Sequence, residues 1–162
     1  MKYLSLDGNR IKNIFVNSLR GLYSLEELRL SNMPLLEHIN ETAFVHVPSL
    51  KILDLSRNPM LSGTTGRTFL GLYNLEELNL AYSHNIANQG KVDFSDKFLG
   101  LDKLRILNIS CALNSYCYTE DEYEETIDAN YLKSLLELEE LDLSRNSLAE
   151  WEDDRFFLNE KL

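Results

Sequence analysis

The stretch LKILDLSRNPML, residues 50–61, decides the fold of this chain. Its first three leucines stand at successive spacings of three and two, and Asn58 follows three residues after the last of them. The stretch LEELDLSRNSL, residues 138–148, repeats this arrangement much further along the chain. The period of an α-helix does not give successive leucine spacings of three and two, and it would not give them again so far along the chain. The two copies therefore indicate an internal repeat.

The same arrangement recurs along the whole chain and divides it into six units. Their predicted bounds are residues 1–24, 25–49, 50–74, 75–103, 104–137 and 138–161. In the second half of a unit, an aromatic residue or leucine precedes another apolar residue by three positions, as Phe69 precedes Leu72. The L-x-x-L-x-L-x-x-N spacing in units of this length resembles the leucine-rich repeat.

Each unit is expected to begin with a short strand. Side chains alternate between the two faces of a strand, so Leu53 and Leu55 share one face while Ile52 and Asp54 lie on the other. No unit can bury its apolar face alone, and neighbouring units must therefore stack to close a continuous core. The sequence predicts an α/β repeat fold over residues 1–162, a curved leucine-rich repeat solenoid. Its parallel sheet forms the concave face, and irregular or short helical returns form the convex face.

The asparagine at the end of each strand is expected to satisfy backbone groups that the strand leaves open, because its amide both donates and accepts. That position holds, in order along the chain, Asn9, Met33, Asn58, Ser83, Ala112 and Asn146. Methionine cannot form these hydrogen bonds, so we expect the turn at Met33 to be supported differently. In the fourth unit either Ser83 itself or the nearby Asn85 is available for this role.

Composition excludes several classes of function. The formal net charge of −10 argues against nucleic acid, which is bound largely through Lys and Arg. It favours basic partners, or solubility alone. The sequence contains neither a G-x-S-x-G nor an H-E-x-x-H pattern, and its carboxylates do not form a facing pair. We therefore predict no catalytic residue, no cofactor and no metal site, and we interpret His84 as a solvated loop histidine.

The ends of the chain lack the polar caps that solenoids require. Met1 and Leu162 each stand at the first apolar position of a unit, so we expect a segment of a longer solenoid, uncapped at both ends. No apolar run reaches the length of a membrane span. A signal peptide and any membrane anchor are expected to lie outside this chain.

Two cysteines and two glycosylation sequons occur in the chain. Cys111 and Cys117 are close enough in sequence for a local disulfide, and two free thiols are the alternative. Asn40 and Asn108 each begin an N-x-[ST] sequon, which would accept a glycan in a secreted protein.

An acidic loop over residues 119–128 follows the second cysteine. Tyr118 and Tyr123 have acidic neighbours that resemble tyrosine-sulfation sites. The loop is either a solvated, mobile segment or a docking site for a basic partner.

The unit length and the later F-x-x-L pattern resemble the typical leucine-rich repeats of extracellular proteins. Toll-like receptor ectodomains and cell-surface adhesion or guidance receptors are the most similar in style. The resemblance implies an extracellular or cell-surface glycoprotein that binds macromolecules and has no enzymatic activity. A receptor segment that binds a protein or microbial ligand upstream of signalling, as in innate immunity, is the first hypothesis. An adhesion or matrix protein is the second, and an intracellular scaffold is the third.

The predicted concave face is a mixed polar surface with an excess of acid and an apolar strip at Ile52 and Ile106. Tyr and Arg are enriched in binding hot spots. The candidate ligand-binding residues on this face are Tyr3, Arg29, Asp54, Arg57, Asn79, Tyr82, Arg105, Asp142 and Arg145.

Overall fold

The computed structural model describes residues 1–62, 64, 65, 67–83, 98–112, 132 and 134–146. Within them, six strands of three residues each form one parallel sheet. These are β1 (Tyr3–Ser5), β3 (Glu27–Arg29), β5 (Ile52–Asp54), β6 (Glu77–Asn79), β7 (Ile106–Asn108) and β8 (Glu140–Asp142). They lie in the sheet in the order in which they occur in the chain, which is the arrangement of a solenoid.

The register of the sheet places the same repeat position side by side in every strand. Leu53 pairs with Leu78, Leu78 with Leu107 and Leu107 with Leu141. Leu53 and Leu107 are completely buried, as predicted for the inward face. The predicted parallel-sheet solenoid is thus confirmed, while the division of the chain into six units remains a prediction.

The described parts of the returns contain little regular structure, with one addition to the prediction. In the first two units, β2 (Asn13–Ile14) and β4 (His38–Ile39) pair in parallel as a second, two-stranded sheet. These two returns have nearly equal lengths, so equivalent residues come into register. A short 3₁₀ helix, Ala43–His46, follows in the second unit.

Phenylalanines from successive returns fill the space behind the sheet. The rings of Phe44 and Phe69 are stacked at 6.4 Å, and those of Phe69 and Phe98 at 6.5 Å. All three side chains are almost completely buried. Burying one such side chain contributes about 1.5–3 kcal/mol, so this stack supplies much of the stability between units.

Asn58 closes the turn of its own unit and that of the preceding one. Its amide nitrogen donates to the carbonyls of Leu30 and Leu55, at 2.8 and 2.7 Å. Its side-chain oxygen accepts the backbone N–H of Met33 at 2.9 Å. The turn at Met33 is therefore supported by the next unit, which explains how a methionine is tolerated there.

Ser83 fulfils the asparagine role with its own hydroxyl. Its Oγ donates to the carbonyl of Leu55 at 2.8 Å and accepts the N–H of Asn58 at 3.0 Å. The alternative residue, Asn85, lies outside the described residues. Asn146 repeats the pattern of Asn58, because its side-chain oxygen accepts the N–H of Ala112 at 3.0 Å.

Gly71 marks the closest approach between two returns. A Cβ atom at this position would lie 2.8 Å from the Cα of Val45, and the backbone φ is +99°. Both conditions favour glycine, which has no Cβ and tolerates positive φ. Among the described residues, no helix has the length and apolar character needed to cross a bilayer.

Candidate functional site: the concave sheet face

The outward side chains of the sheet form two parallel columns, one residue from each strand. The first column contains Tyr3, Glu27, Ile52, Glu77, Ile106 and Glu140. The second contains Ser5, Arg29, Asp54, Asn79, Asn108 and Asp142. Neighbouring strands lie about 4.8 Å apart, so each column is a continuous row of side chains on the face opposite the core.

A shallow depression of about 260 Å³ lies at the centre of these columns. It is lined by Arg29, Ile52, Leu53, Asp54, Glu77, Leu78, Asn79, Ile106 and Asn108. Ile52 and Ile106 stand on either side of Glu77, because their strands both neighbour β6. All three side chains are half-buried. The depression thus combines two aliphatic walls with one central carboxylate.

Two of the three acids in the first column, Glu27 and Glu77, differ in their partners. Glu27 pairs with Arg29 at 2.7 Å, and this carboxylate raises the pKa of the Arg29 guanidinium. Among the described residues, the carboxylate of Glu77 has no cation within ion-pair distance. Glu77 therefore leaves a negative charge on the face that a cationic group of a ligand can neutralise.

Several residues of the second column hold the backbone at the end of their strands, a role that the sequence did not reveal. The side-chain oxygen of Asp54 accepts the N–H of Ser56 at 2.9 Å, and that of Asn79 accepts the N–H of Ala81 at 3.1 Å. Asp142 does the same for Ser144 at 2.9 Å. This hydrogen bond to the charged form lowers the pKa of Asp142. In each case the accepting side chain stands two residues before the N–H that it binds. This two-residue spacing is the sequence signal of such a turn.

Alternating charges line the amino-terminal edge of the sheet. The column contains Lys2, Glu26, Lys51, Glu76, Arg105 and Glu139, and its members pair as Lys2–Glu26, Lys51–Glu76 and Arg105–Glu139. Arg105, one of the candidate ligand-binding residues, lies at this edge. Glu139 accepts its hydrogen bond at 2.5 Å and raises the pKa of its guanidinium. Such exposed pairs each contribute at most about 1 kcal/mol.

At the carboxyl-terminal edge, one residue of each unit adopts a left-handed backbone. These are Gly8, Asn32, Arg57, Tyr82, Cys111 and Arg145, with φ between 49° and 71°. The N–H groups of the first five extend the backbone ladder beyond the strands, as in the bond from Arg57 to the carbonyl of Ala81 at 2.7 Å. Each of these residues directly precedes the asparagine position of its unit, so the repeat frame locates them in the sequence.

Three of these edge residues contact one another. The guanidinium carbon of Arg57 lies over the ring of Tyr82, 5.5 Å from the ring centroid. Nη1 of Arg145 donates to the hydroxyl of Tyr82 at 3.3 Å. The structure thus joins three of the candidate ligand-binding residues, Arg57, Tyr82 and Arg145, into one cluster, which we call the edge triad.

The two sequons differ in exposure. Asn40 is exposed on the return side, whereas Asn108 is half-buried within β7. In both, the asparagine oxygen accepts the N–H and the hydroxyl of the residue two positions later, Thr42 and Ser110. Glycosylation at either position remains a prediction.

Cys111 is completely buried and disulfide-bonded. The chain contains one other cysteine, Cys117, which lies outside the described residues. The sites predicted at Tyr118, Tyr123, His84 and the acidic loop 119–128 lie outside them as well. Within the part of the chain that the structure describes, no group of three His, Cys, Asp or Glu residues is arranged to hold a metal ion.

The fold and the concave sheet define a leucine-rich repeat solenoid. Two profiles of the leucine-rich repeat family match the sequence, one over residues 1–60 and the other over residues 137–159. The chain is a leucine-rich repeat protein.

Sequence relatives include Tsukushi from chicken (Gallus gallus), which is 37% identical over 81 residues, and Tsukushi from mouse (Mus musculus), 39% identical over 83. The matched regions cover 50% and 51% of this chain. They cover only 22% and 23% of these relatives.

Two solved structures extend the comparison to nearly the whole chain. Human 5T4 (Wnt-activated inhibitory factor 1, trophoblast glycoprotein) superimposes with a TM-score of 0.73 at 28% identity. The alignment covers 99% of this chain and 58% of 5T4. TLR13, solved as a complex with ssRNA13, superimposes with a TM-score of 0.57 at 20% identity, covering 99% of this chain and 29% of TLR13. The second likeness concerns the fold alone.

Proposed function

We propose that this chain is a non-enzymatic recognition module, part of a receptor ectodomain at the cell surface, and that it binds a protein ligand on its concave face. The observation that carries the proposal is the central depression, where Ile52 and Ile106 flank the carboxylate of Glu77. Aliphatic side chains that stay partly exposed on an otherwise polar face are typical of the centre of an interface. The unpaired carboxylate between them favours a ligand that presents a Lys or Arg beside apolar side chains.

The comparisons support the extracellular part of this proposal. Human 5T4, which superimposes along nearly the whole chain, carries the names trophoblast glycoprotein and Wnt-activated inhibitory factor. The sequon at Asn40, exposed on the return side, is compatible with a glycan that would leave the concave sheet accessible. The net charge of −10 supports a protein ligand with basic side chains over a nucleic acid.

The proposal is tested with a panel of purified extracellular domains and microbial surface polymers, screened for binding to the immobilised chain. Any ligand found is then measured against two charge-reversal variants. Glu77→Arg alters the centre of the depression, whereas Glu37→Arg makes the same change at a half-buried position on the return side, just before β4.

We expect Glu77→Arg to weaken binding at least tenfold, because a buried like-charge contact replaces an attractive one, and Glu37→Arg to leave it unchanged. Equal effects of the two variants, or an effect of Glu37→Arg alone, would contradict the assignment of the concave face. Absence of binding to every member of the panel would also count against the proposal.

The position upstream of signalling is a separate part of the proposal. The coding sequence that follows Leu162 tests it, because a receptor requires a membrane span and then a signalling domain. A coding sequence without either would favour the adhesion or matrix alternative. The binding assignment to the concave face does not depend on this outcome.

A further inference from the structure

The edge triad is built at a conformational cost. Arg57, Tyr82 and Arg145 have φ of 58°, 59° and 61°, a region that large non-glycine residues rarely adopt. The first two units use the residues best suited to this backbone, Gly8 and Asn32. The turn of the repeat imposes this backbone in every described unit, and at Arg57, Tyr82 and Arg145 it carries a large side chain to the edge of the sheet.

The two guanidinium groups of the triad lack the carboxylate partners that other cations of the sheet have. Lys2, Arg29, Lys51 and Arg105 each pair with a glutamate. Among the described residues, neither Arg57 nor Arg145 has a carboxylate within ion-pair distance, and both instead contact the neutral ring or hydroxyl of Tyr82. Within the part of the chain that the structure describes, the triad therefore brings together two positive charges without an ion-pair partner, in a chain whose net charge is −10.

The aspartates of β5 and β8, Asp54 and Asp142, use their side-chain oxygens to bind backbone N–H groups. Asp54 accepts the N–H of Ser56, and Asp142 accepts the N–H of Ser144. The guanidinium carbon of Arg57 lies 5.5 Å from the centroid of the Tyr82 ring, so a cation–π contact holds this group beside the ring, and a planar guanidinium presents a fork of N–H donors. A planar carboxylate is the group that such a fork of donors recognises best.

We propose that Arg57, Tyr82 and Arg145 form a subsite for an acidic segment, bearing Asp or Glu carboxylates, of the protein ligand. This inference rests on the proposed function, because the triad borders the concave face at the carboxyl-terminal edge of β5, β6 and β8. Together with the depression at Glu77, this subsite defines the orientation of the ligand on the sheet. A cationic side chain lies over the middle of the strands, and carboxylates lie beyond their carboxyl-terminal ends.

A fluorescent hexaglutamate peptide serves as the probe, with hexaglutamine as the uncharged control. The overall negative charge of the chain repels hexaglutamate, so binding requires a local cluster of cations. We expect hexaglutamate to bind and hexaglutamine not to bind. Arg57→Gln and Arg145→Gln should each weaken the binding roughly tenfold, since each removes a charged hydrogen-bond donor.

The matched control is Lys51→Gln, which removes an exposed cation of the same sheet that already pairs with Glu76. It should leave the affinity for hexaglutamate unchanged. Tyr82→Phe retains the ring under Arg57 but loses the contact with Arg145, so we expect a smaller loss than with Tyr82→Ala. Far-ultraviolet circular dichroism of every variant verifies that the fold is intact.

The proposal is overturned if the Arg57→Gln, Arg145→Gln double variant binds hexaglutamate as tightly as the wild type does. It is also overturned if the wild type does not bind hexaglutamate. Heparin is tested in the same way. If heparin binds more tightly than hexaglutamate and the same variants lose it, the ligand of the subsite is a sulfated glycan and the assignment to a protein segment is overturned. If the subsite fails while Glu77→Arg still abolishes binding of the protein ligand, the proposed function stands. If Glu77→Arg has no effect but hexaglutamate binding depends on the triad, the concave-face proposal fails instead.

Discussion

The side-chain oxygen of Asn58 accepts the backbone N–H of Met33 at 2.9 Å, across the boundary between two repeat units. The same amide donates to carbonyls of both units. One side chain therefore satisfies three buried backbone groups, and the asparagine of a unit stabilises the turn of the unit before it as well as its own.

Replacing Asn58 with Ala should lower the free energy of unfolding by about 2–4 kcal/mol, because three buried backbone groups lose their partner. Urea denaturation monitored by circular dichroism measures the change. The matched control is Asn9→Ala, since Asn9 occupies the same repeat position but is exposed and donates to one carbonyl, that of Leu6. That variant should lose less than about 1 kcal/mol. Similar losses in both variants would show that the contact between units contributes little.

Gly71→Ala should destabilise the solenoid by about 2–4 kcal/mol, the sum of an unfavourable positive φ and a clash with the backbone of Val45. Gly21→Ala provides the comparison, because φ is also positive at Gly21 but no atom lies within 4 Å of the added Cβ. We expect a loss of only about 1 kcal/mol there. Thermal and urea denaturation of both variants test the difference, and equal destabilisation would argue against the close approach of the two returns.

Leu53→Asp should unfold the neighbouring units, because it places an unpaired charge in a completely buried position. Asp54→Ala, one residue further on the opposite face, should retain the far-ultraviolet dichroism of the wild type. It should nevertheless lose about 1 kcal/mol, since Ser56 loses the acceptor of its N–H. The inward and outward assignments would be wrong if both variants unfolded or both stayed folded.

The pKa of Asp142 is lowered below its ordinary value of 3.8, chiefly by the hydrogen bond from the backbone N–H of Ser144. A lowered folded-state pKa gives stability that is present above the unfolded-state pKa and is lost as pH falls through the folded-state pKa. The wild type should therefore lose more stability than Asp142→Asn between about pH 6 and about pH 2.5, because asparagine keeps an acceptor that does not titrate. Melting temperatures at the two pH values give the comparison, and identical pH dependence in both proteins would refute the role of this carboxylate.

The repeat pattern predicted the main features of the fold. The leucines that align as Leu53, Leu78, Leu107 and Leu141 are those that the spacing assigned to the inward face. The burial of Phe44, Phe69 and Phe98 behind the sheet also followed from periodicity. Both features depend on apolar burial at fixed intervals, which the sequence records directly.

Periodicity did not reveal the contacts that depend on side-chain direction between units. The left-handed backbone at Arg57 and Tyr82 is set by the turn of the repeat, although neither residue type favours it. The use of Asp54 and Asp142 as backbone acceptors is likewise local geometry that the leucine spacing does not record. The pairing of Arg105 with Glu139 in the next unit is another contact that residue type alone did not reveal, and the role of Arg105 in binding remains a prediction.

The central claim, that the concave sheet face binds the ligand, is tested most directly by hydroxyl-radical footprinting of the chain with and without its ligand. Three tyrosines with nearly equal exposed fractions serve as reporters: Tyr3 at 52% on the concave face, and Tyr23 at 56% and Tyr73 at 57% on the returns. We predict that oxidation of Tyr3, and of Ile52 and Ile106 beside the central depression, falls in the complex while that of Tyr23 and Tyr73 stays unchanged. Protection of Tyr23 and Tyr73 with Tyr3, Ile52 and Ile106 unaffected would contradict the claim.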